Sequence, residues 1–138
     1  MKALLTFTVL IIVAVANAQP KQPKINVKDT IVYTAVEQQP QFGNDEVAFN
    51  KYLMKNVRYV PPDGVGHNTE GRFIASFVVE KDGTISHIKI LRNWDSATGK
   101  EFVKAIQRSP KWRPGIQNGY LVRTKFSISM FICLASEE

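Results

Sequence analysis

The stretch that decides the fold is Leu121-Val122-Arg123-Thr124-Lys125-Phe126-Ser127-Ile128-Ser129-Met130-Phe131-Ile132-Cys133. Val122, Thr124, Phe126, Ile128, Met130 and Ile132 fall on one face of a strand by period-2 alternation, and Arg123, Lys125, Ser127 and Ser129 fall on the other. One face suits a packed interior and one suits water, as in a two-layer α+β domain.

The same alternation occurs upstream. Phe73, Ala75, Phe77 and Val79 share a face within Arg72–Glu80. Lys81-Asp82-Gly83-Thr84 then supplies a tight turn, because Asp-Gly tolerates the positive φ of hairpin connections. Ile85–Leu91 returns as the second strand of the hairpin.

Two helices fit around these strands. Phe49, Leu53 and Val57 repeat at helical spacing with Tyr52 alongside, which predicts a helix over Asp45–Val57 with Asn44 as its cap. Thr98 and Glu101 fit a capping box ahead of the stripe Phe102, Ala105 and Ile106. Pro110 closes that helix.

The element order is therefore α-β-β-α-β. A right-handed crossover sets the last strand beside the first, which predicts a three-stranded sheet, antiparallel to mixed, of order 2-1-3 packed on two helices. In that arrangement the last strand lies at an edge. A long edge strand is a pairing hazard, and a face of Lys, Arg and Ser protects it; the same edge can also receive a partner strand.

Outside this core the chain of 138 residues reads as three further segments. Residues 1–18 have the form of a secretory signal: Lys2, the apolar run Ala3–Ala16, and the cleavage-type triplet Ala16-Asn17-Ala18. The apolar run is shorter than the roughly 20 residues a spanning helix needs, which favours cleavage over an uncleaved anchor. Residues 19–39 form a Pro/Gln/Lys-rich linker or arm in which the β-branched Thr30–Val36 could order as a strand. Residues 40–134 are the domain and 135–138 a tail.

Composition narrows the chemistry. Cys133 is the single cysteine, so there is no intrachain disulfide framework, and 44% apolar residues supply a core instead. The formal net charge is +6, and between Ser96 and Lys125 the basic residues far outnumber the single Glu101. An exported chain makes that a solvated face or an attractor of anionic peptides or membrane surfaces rather than a nucleic-acid site. His67 and His87 lie in a Gly-rich loop and a strand, with no partner at metal-ligand spacing. Asp82 and Asp95 are turn aspartates by context, and no catalytic fingerprint is present, so neither an enzyme nor a cofactor is expected. Trp112 reads as a core residue and Trp94 as a loop aromatic able to meet a partner.

Four motifs in sequence resemble the TonB C-terminal domain family. They are Pro40-Gln41-Phe42-Gly43, Arg58-Tyr59-Val60-Pro61 (with Val60 inserted), the hairpin Glu70–Ile85 with its Glu-Gly and Asp-Gly pairs, and Ser109-Pro110-Lys111-Trp112-Arg113-Pro114-Gly115. The resemblance spans about Pro40 to Leu134. It implies a periplasmic peptide-binding module in TonB-dependent transport. Such modules bind the N-terminal box segments of outer-membrane transporters by strand addition on the last strand, near the Tyr-Pro segment. By position, the contacts would be Arg58, Tyr59, Leu121, Arg123, Lys125, Ser127 and Ser129.

Full energy transducers of the family add an anchor helix, with a histidine that meets a proton-driven inner-membrane motor complex, and a long periplasmic spacer. Met1–Ala18 contains no histidine, and Gln19–Gly43 reaches at most about 80 Å at roughly 3.3 Å per residue. The alternatives are therefore an anchored transducer that keeps its signal, facing the periplasm, or an envelope domain that pairs with itself as a homodimer.

Overall fold

The computed structural model describes residues 21–26, 28, 30–45, 47–59, 69–93 and 96–134. Residues 1–18, which the sequence suggests are an export signal, lie outside the described residues, as do His67, Trp94, Asp95 and the tail 135–138. The elements are β1 (Lys24–Ile25), β2 (Val32–Tyr33), α1 (Ala48–Asn56), β3 (Thr69–Val79), β4 (Ile85–Arg92), α2 (Ser96–Gln107), β5 (Gly115–Gln117) and β6 (Tyr120–Leu134).

The class is α+β, with two helices against one sheet. The long strands lie in the order β6-β3-β4, with β3 antiparallel to both neighbours. The expectation of three strands is corrected, because the sheet has six strands among the described residues. β1 and β2 each run parallel to β6, and β5 pairs with it antiparallel. The added strands are only two or three residues long. They form because β6 offers a ready-made ladder of main-chain donors and acceptors at its start.

The hairpin turn shows why glycine stands at position 83. Gly83 N–H donates to Glu80 O (2.9 Å), and Glu80 N–H donates to Thr84 O (2.8 Å). This closure sets Gly83 at φ +83°. A Cβ on Gly83 would lie 2.2 Å from the carbonyl oxygen of Trp112, whose N–H donates to Gly83 O at 2.9 Å. Asp82 completes the turn by accepting from Thr84 N–H (3.0 Å) and Oγ1 (2.6 Å).

Phe73, Ala75, Phe77 and Val79 of β3 and Ile128 and Met130 of β6 are buried, as their alternation requires. Phe49 and Leu53 of α1 and Phe102, Ala105 and Ile106 of α2 close the interior from the other layer. Phe73 and Phe102 stack with centroids 4.1 Å apart, joining sheet to helix. Tyr52 Oη donates to Ala105 O (3.0 Å) and joins the helices to each other.

Both helix starts differ from the sequence expectation. The first helix begins at Ala48, and Asn44 does not cap it. Gly43 at φ +63° turns the chain, and Ala48 N–H donates back to Asp45 O (3.2 Å), closing the chain just ahead of the helix. The second helix begins at Ser96, which places Thr98 inside it and buried. Gly99 allows this start: a Cβ there would come within 2.4 Å of the Asn93 side-chain amide. Glu101 pairs with Lys104 (2.7 Å) instead of closing a capping box.

β5 is too short to carry a period of its own in the sequence. Its signal is Asn118-Gly119, where both residues have positive φ (51° and 75°), as a two-residue hairpin of the primed type requires. The lead-in strand segment crosses β5 at Gln38↔Ile116 and then bridges Gln41↔Arg113. These bridges draw Phe42 over Trp112.

Candidate strand-docking edge

β6 has two edges in different states. Its inner edge pairs with β3 along Thr124–Leu134. On its outer edge, β1 pairs with Tyr120 and Leu121, and β2 with Arg123 and Thr124. Thr124 has partners on both sides, Val79 and Tyr33, so β2 and β3 must flank it from opposite sides. Beyond Lys125 no strand among the described residues pairs with the outer side.

Which residues present their main chain there follows from one hydrogen bond. Lys24 pairs with Tyr120 in parallel and its N–H donates to Gly119 O (2.9 Å), a ladder step whose next bond comes from Leu121, so odd-numbered residues of β6 aim their polar groups outward. Along a strand the N–H and C=O directions alternate. Gly119, Leu121, Arg123 and Lys125 therefore serve the arm, while Ser127, Ser129 and Phe131 present theirs at the open part of the edge. Their side chains are exposed on the face away from the helices, Phe131 to 63%. Ser129 Oγ accepts from Arg72 Nε (3.0 Å).

Arg123 is engaged within the chain. Nε and Nη2 donate to Glu80 Oε2 and Oε1 (2.7 and 2.9 Å), and Nη1 donates to Thr30 O (2.8 Å). The guanidinium thus joins β6, the end of β3 and the arm. The Arg123 hydrogen bond is the main cause holding the Glu80 carboxyl below its ordinary range, with the Ser86 hydroxyl adding to it and partial burial opposing. Ser86 Oγ also lies 2.8 Å from His87 Nδ1.

A largely apolar pocket of about 310 Å³ lies on the helix side of β6, with Phe126 as the β6 residue in its wall. It is lined by Gln39, Pro40, Phe42, Phe49, Trp112 and Phe126. Trp112 is buried, 4.6 Å from Phe49, 5.1 Å from Phe126 and 5.3 Å from Phe42 between ring centroids. Sequence reasoning placed Trp112 in the core but missed Phe42 and Phe126 as pocket walls. The spacing of Pro40-Gln41-Phe42 ahead of α1 is the signal that could have found them.

Arg123, Lys125, Ser127 and Ser129 come together on one strand face. Leu121 is half-buried between Ile25 and Ile116. Arg58 stands exposed just after α1, away from the β6 face in sequence and element. Tyr59 is half-buried beside it, and the loop that follows lies outside the described residues. Among the described residues no cluster of three or more His, Cys, Asp or Glu could hold a metal ion, and no helix is long and apolar enough to cross a membrane.

A family model described as Gram-negative bacterial TonB protein C-terminal matches residues 58–130, which is more than half of the chain. A search of curated proteins returns no match.

Proposed function

The chain belongs to the TonB C-terminal family, and on that footing we propose that it is a periplasmic peptide-binding module of TonB-dependent transport. It takes an extended N-terminal segment of an outer-membrane transporter as an added strand on β6. The observation that carries this reading is the open outer edge, with the main-chain groups of Ser127, Ser129 and Phe131 unpaired by any described strand.

Strand addition draws affinity from main-chain hydrogen bonds and selectivity from side-chain pockets. A strand laid beside Lys125–Phe131 directs alternate side chains to the helix face, next to Phe126. The pocket between Phe42, Phe49 and Trp112 receives an apolar one there. On the opposite face Lys125 and Arg72 favour acidic residues near the segment. The module binds rather than catalyses.

Ser127→Pro tests the reading. Proline deletes one outward N–H while the inward ladder to β3 runs through the even-numbered residues. Binding of a synthetic transporter segment should be lost while Trp112 fluorescence and the circular dichroism stay native. Retained binding in that folded variant contradicts strand addition on this edge.

A further inference from the structure

The start of the outer edge is already occupied by the chain itself. Lys24–Ile25 and Val32–Tyr33 lie on β6 in the geometry of added strands, both parallel to it. We propose that this N-terminal arm is a resident strand, which competes with an incoming segment for the Leu121–Lys125 part of the edge and leaves before a partner can use it. This inference rests on the strand-addition reading and adds its regulation.

Three observations carry it. First, the arm's hold is short and made largely at the surface: Lys24 and Ile25 are exposed, Val32 is 37% exposed, and Ile31 is 62% exposed. Little apolar area is withdrawn from water, so release costs less than parting β6 from β3. Second, two long, half-exposed cations reach main-chain oxygens of the arm. Arg123 donates to Thr30 O, and Lys81 Nζ donates to Asn26 O. Third, the arm ends its pairing at Thr124, immediately before the open stretch. A partner strand on Ser127–Phe131 is end to end with β2, and lengthening its pairing toward Leu121 requires the arm's place.

The resident strand also shows the chemistry the edge accepts. Thr30-Ile31-Val32-Tyr33 is β-branched and aromatic, runs parallel to β6, and turns a carbonyl toward Arg123. An incoming segment of the same character, with a carbonyl for that guanidinium, fits the vacated edge.

The test uses the full chain and a synthetic peptide of residues 28–36 as probe. Lys24→Pro with Tyr33→Pro removes the arm's donors to Gly119 O and, by the alternation of the register, to Arg123 O. Both positions are on the arm, so the interior is untouched. Apparent affinity scales with the fraction of chains whose edge is vacant, so the probe should bind the double variant about tenfold or more tighter than the wild type. The amides of Arg123 and Lys125 should exchange slowly in the wild type and quickly in the variant. Equal affinity for both forms, no binding to the variant, or fast exchange of those amides in the wild type overturns the proposal. A transporter segment run in parallel separates the two readings. If it binds both forms equally at Ser127–Phe131, strand addition stands and the arm's role falls. If it binds neither while the probe binds the variant, the arm's role stands and the transporter reading falls.

Discussion

Arg123 and Glu80 face each other as a two-point pair, at 2.7 and 2.9 Å, across the junction where β3 leaves the sheet and the arm joins it. The third guanidinium nitrogen reaches Thr30 O. One side chain therefore fixes three segments that are distant in sequence. The pair is partly shielded, with about a fifth of each side chain exposed (21% and 23%), which makes it stronger than an open surface bridge.

The pair gives stability a dependence on acid. Glu80 titrates below its ordinary value of 4.5 in the folded chain, so the unfolded chain takes up the proton first. Its contribution is fully present above pH 4.5 and is lost as pH falls through the lowered folded value. Glu80→Gln should lower stability by about 1.5–3 kcal/mol at neutral pH, the range for a hydrogen bond to a charged group. It should also flatten the acid limb of a urea midpoint series. An acid limb of unchanged slope in Glu80→Gln would assign it to other carboxylates, Asp82 first among them, since its pKa is lowered chiefly by the Thr84 hydroxyl.

Gly83→Ala should be among the most damaging small substitutions in the described chain. The residue needs positive φ, and its Cβ would stand 2.2 Å from a main-chain oxygen that cannot swing aside. The left-handed conformation alone costs an alanine about 1–2 kcal/mol. The displaced Trp112 hydrogen bond adds to that, for a loss of at least roughly 2 kcal/mol in chemical denaturation. Retention of wild-type stability would mean that the turn relaxes away from Trp112.

Phe42→Ala removes a ring that lies 5.1–5.3 Å from Phe49, Tyr52 and Trp112. The ring is only partly buried, so the loss should fall at about 2–3 kcal/mol, below the range for a fully buried Phe. The Trp112 emission should shift to the red as water reaches the indole. The variant should also bind transporter segments more weakly if the pocket holds one of their side chains. Unchanged emission would place Phe42 outside the wall of the pocket.

The long elements were legible because each carries its own periodicity. Val122–Met130 and Phe73–Val79 alternate without a break, and Asp82-Gly83 supplies the turn between β3 and β4 chemically. The helix stripes Phe49–Leu53 and Phe102–Ile106 were equally clear, while their starts were not. Those starts are set by Gly43 turning the chain and by Asn93 packing on Gly99, both tertiary effects. β1 and β2 exist only because β6 provides a ladder, and a pair of residues has no period of its own to read. In the candidate site, alternation correctly put Arg123, Lys125, Ser127 and Ser129 on one face. It could not show that Arg123 is spoken for by Glu80, a contact that spans 43 positions in the chain.

The most direct test of strand addition is amide hydrogen exchange along β6, residue by residue, without and with a saturating transporter segment. In the free chain Ser127, Ser129 and Phe131 should exchange quickly, while Phe126, Ile128 and Met130, bonded to β3, exchange slowly. On binding, the three fast amides should become protected and the slow ones should stay as they were. If the segment binds while Ser127, Ser129 and Phe131 still exchange quickly, the partner docks elsewhere and the account of this edge is wrong.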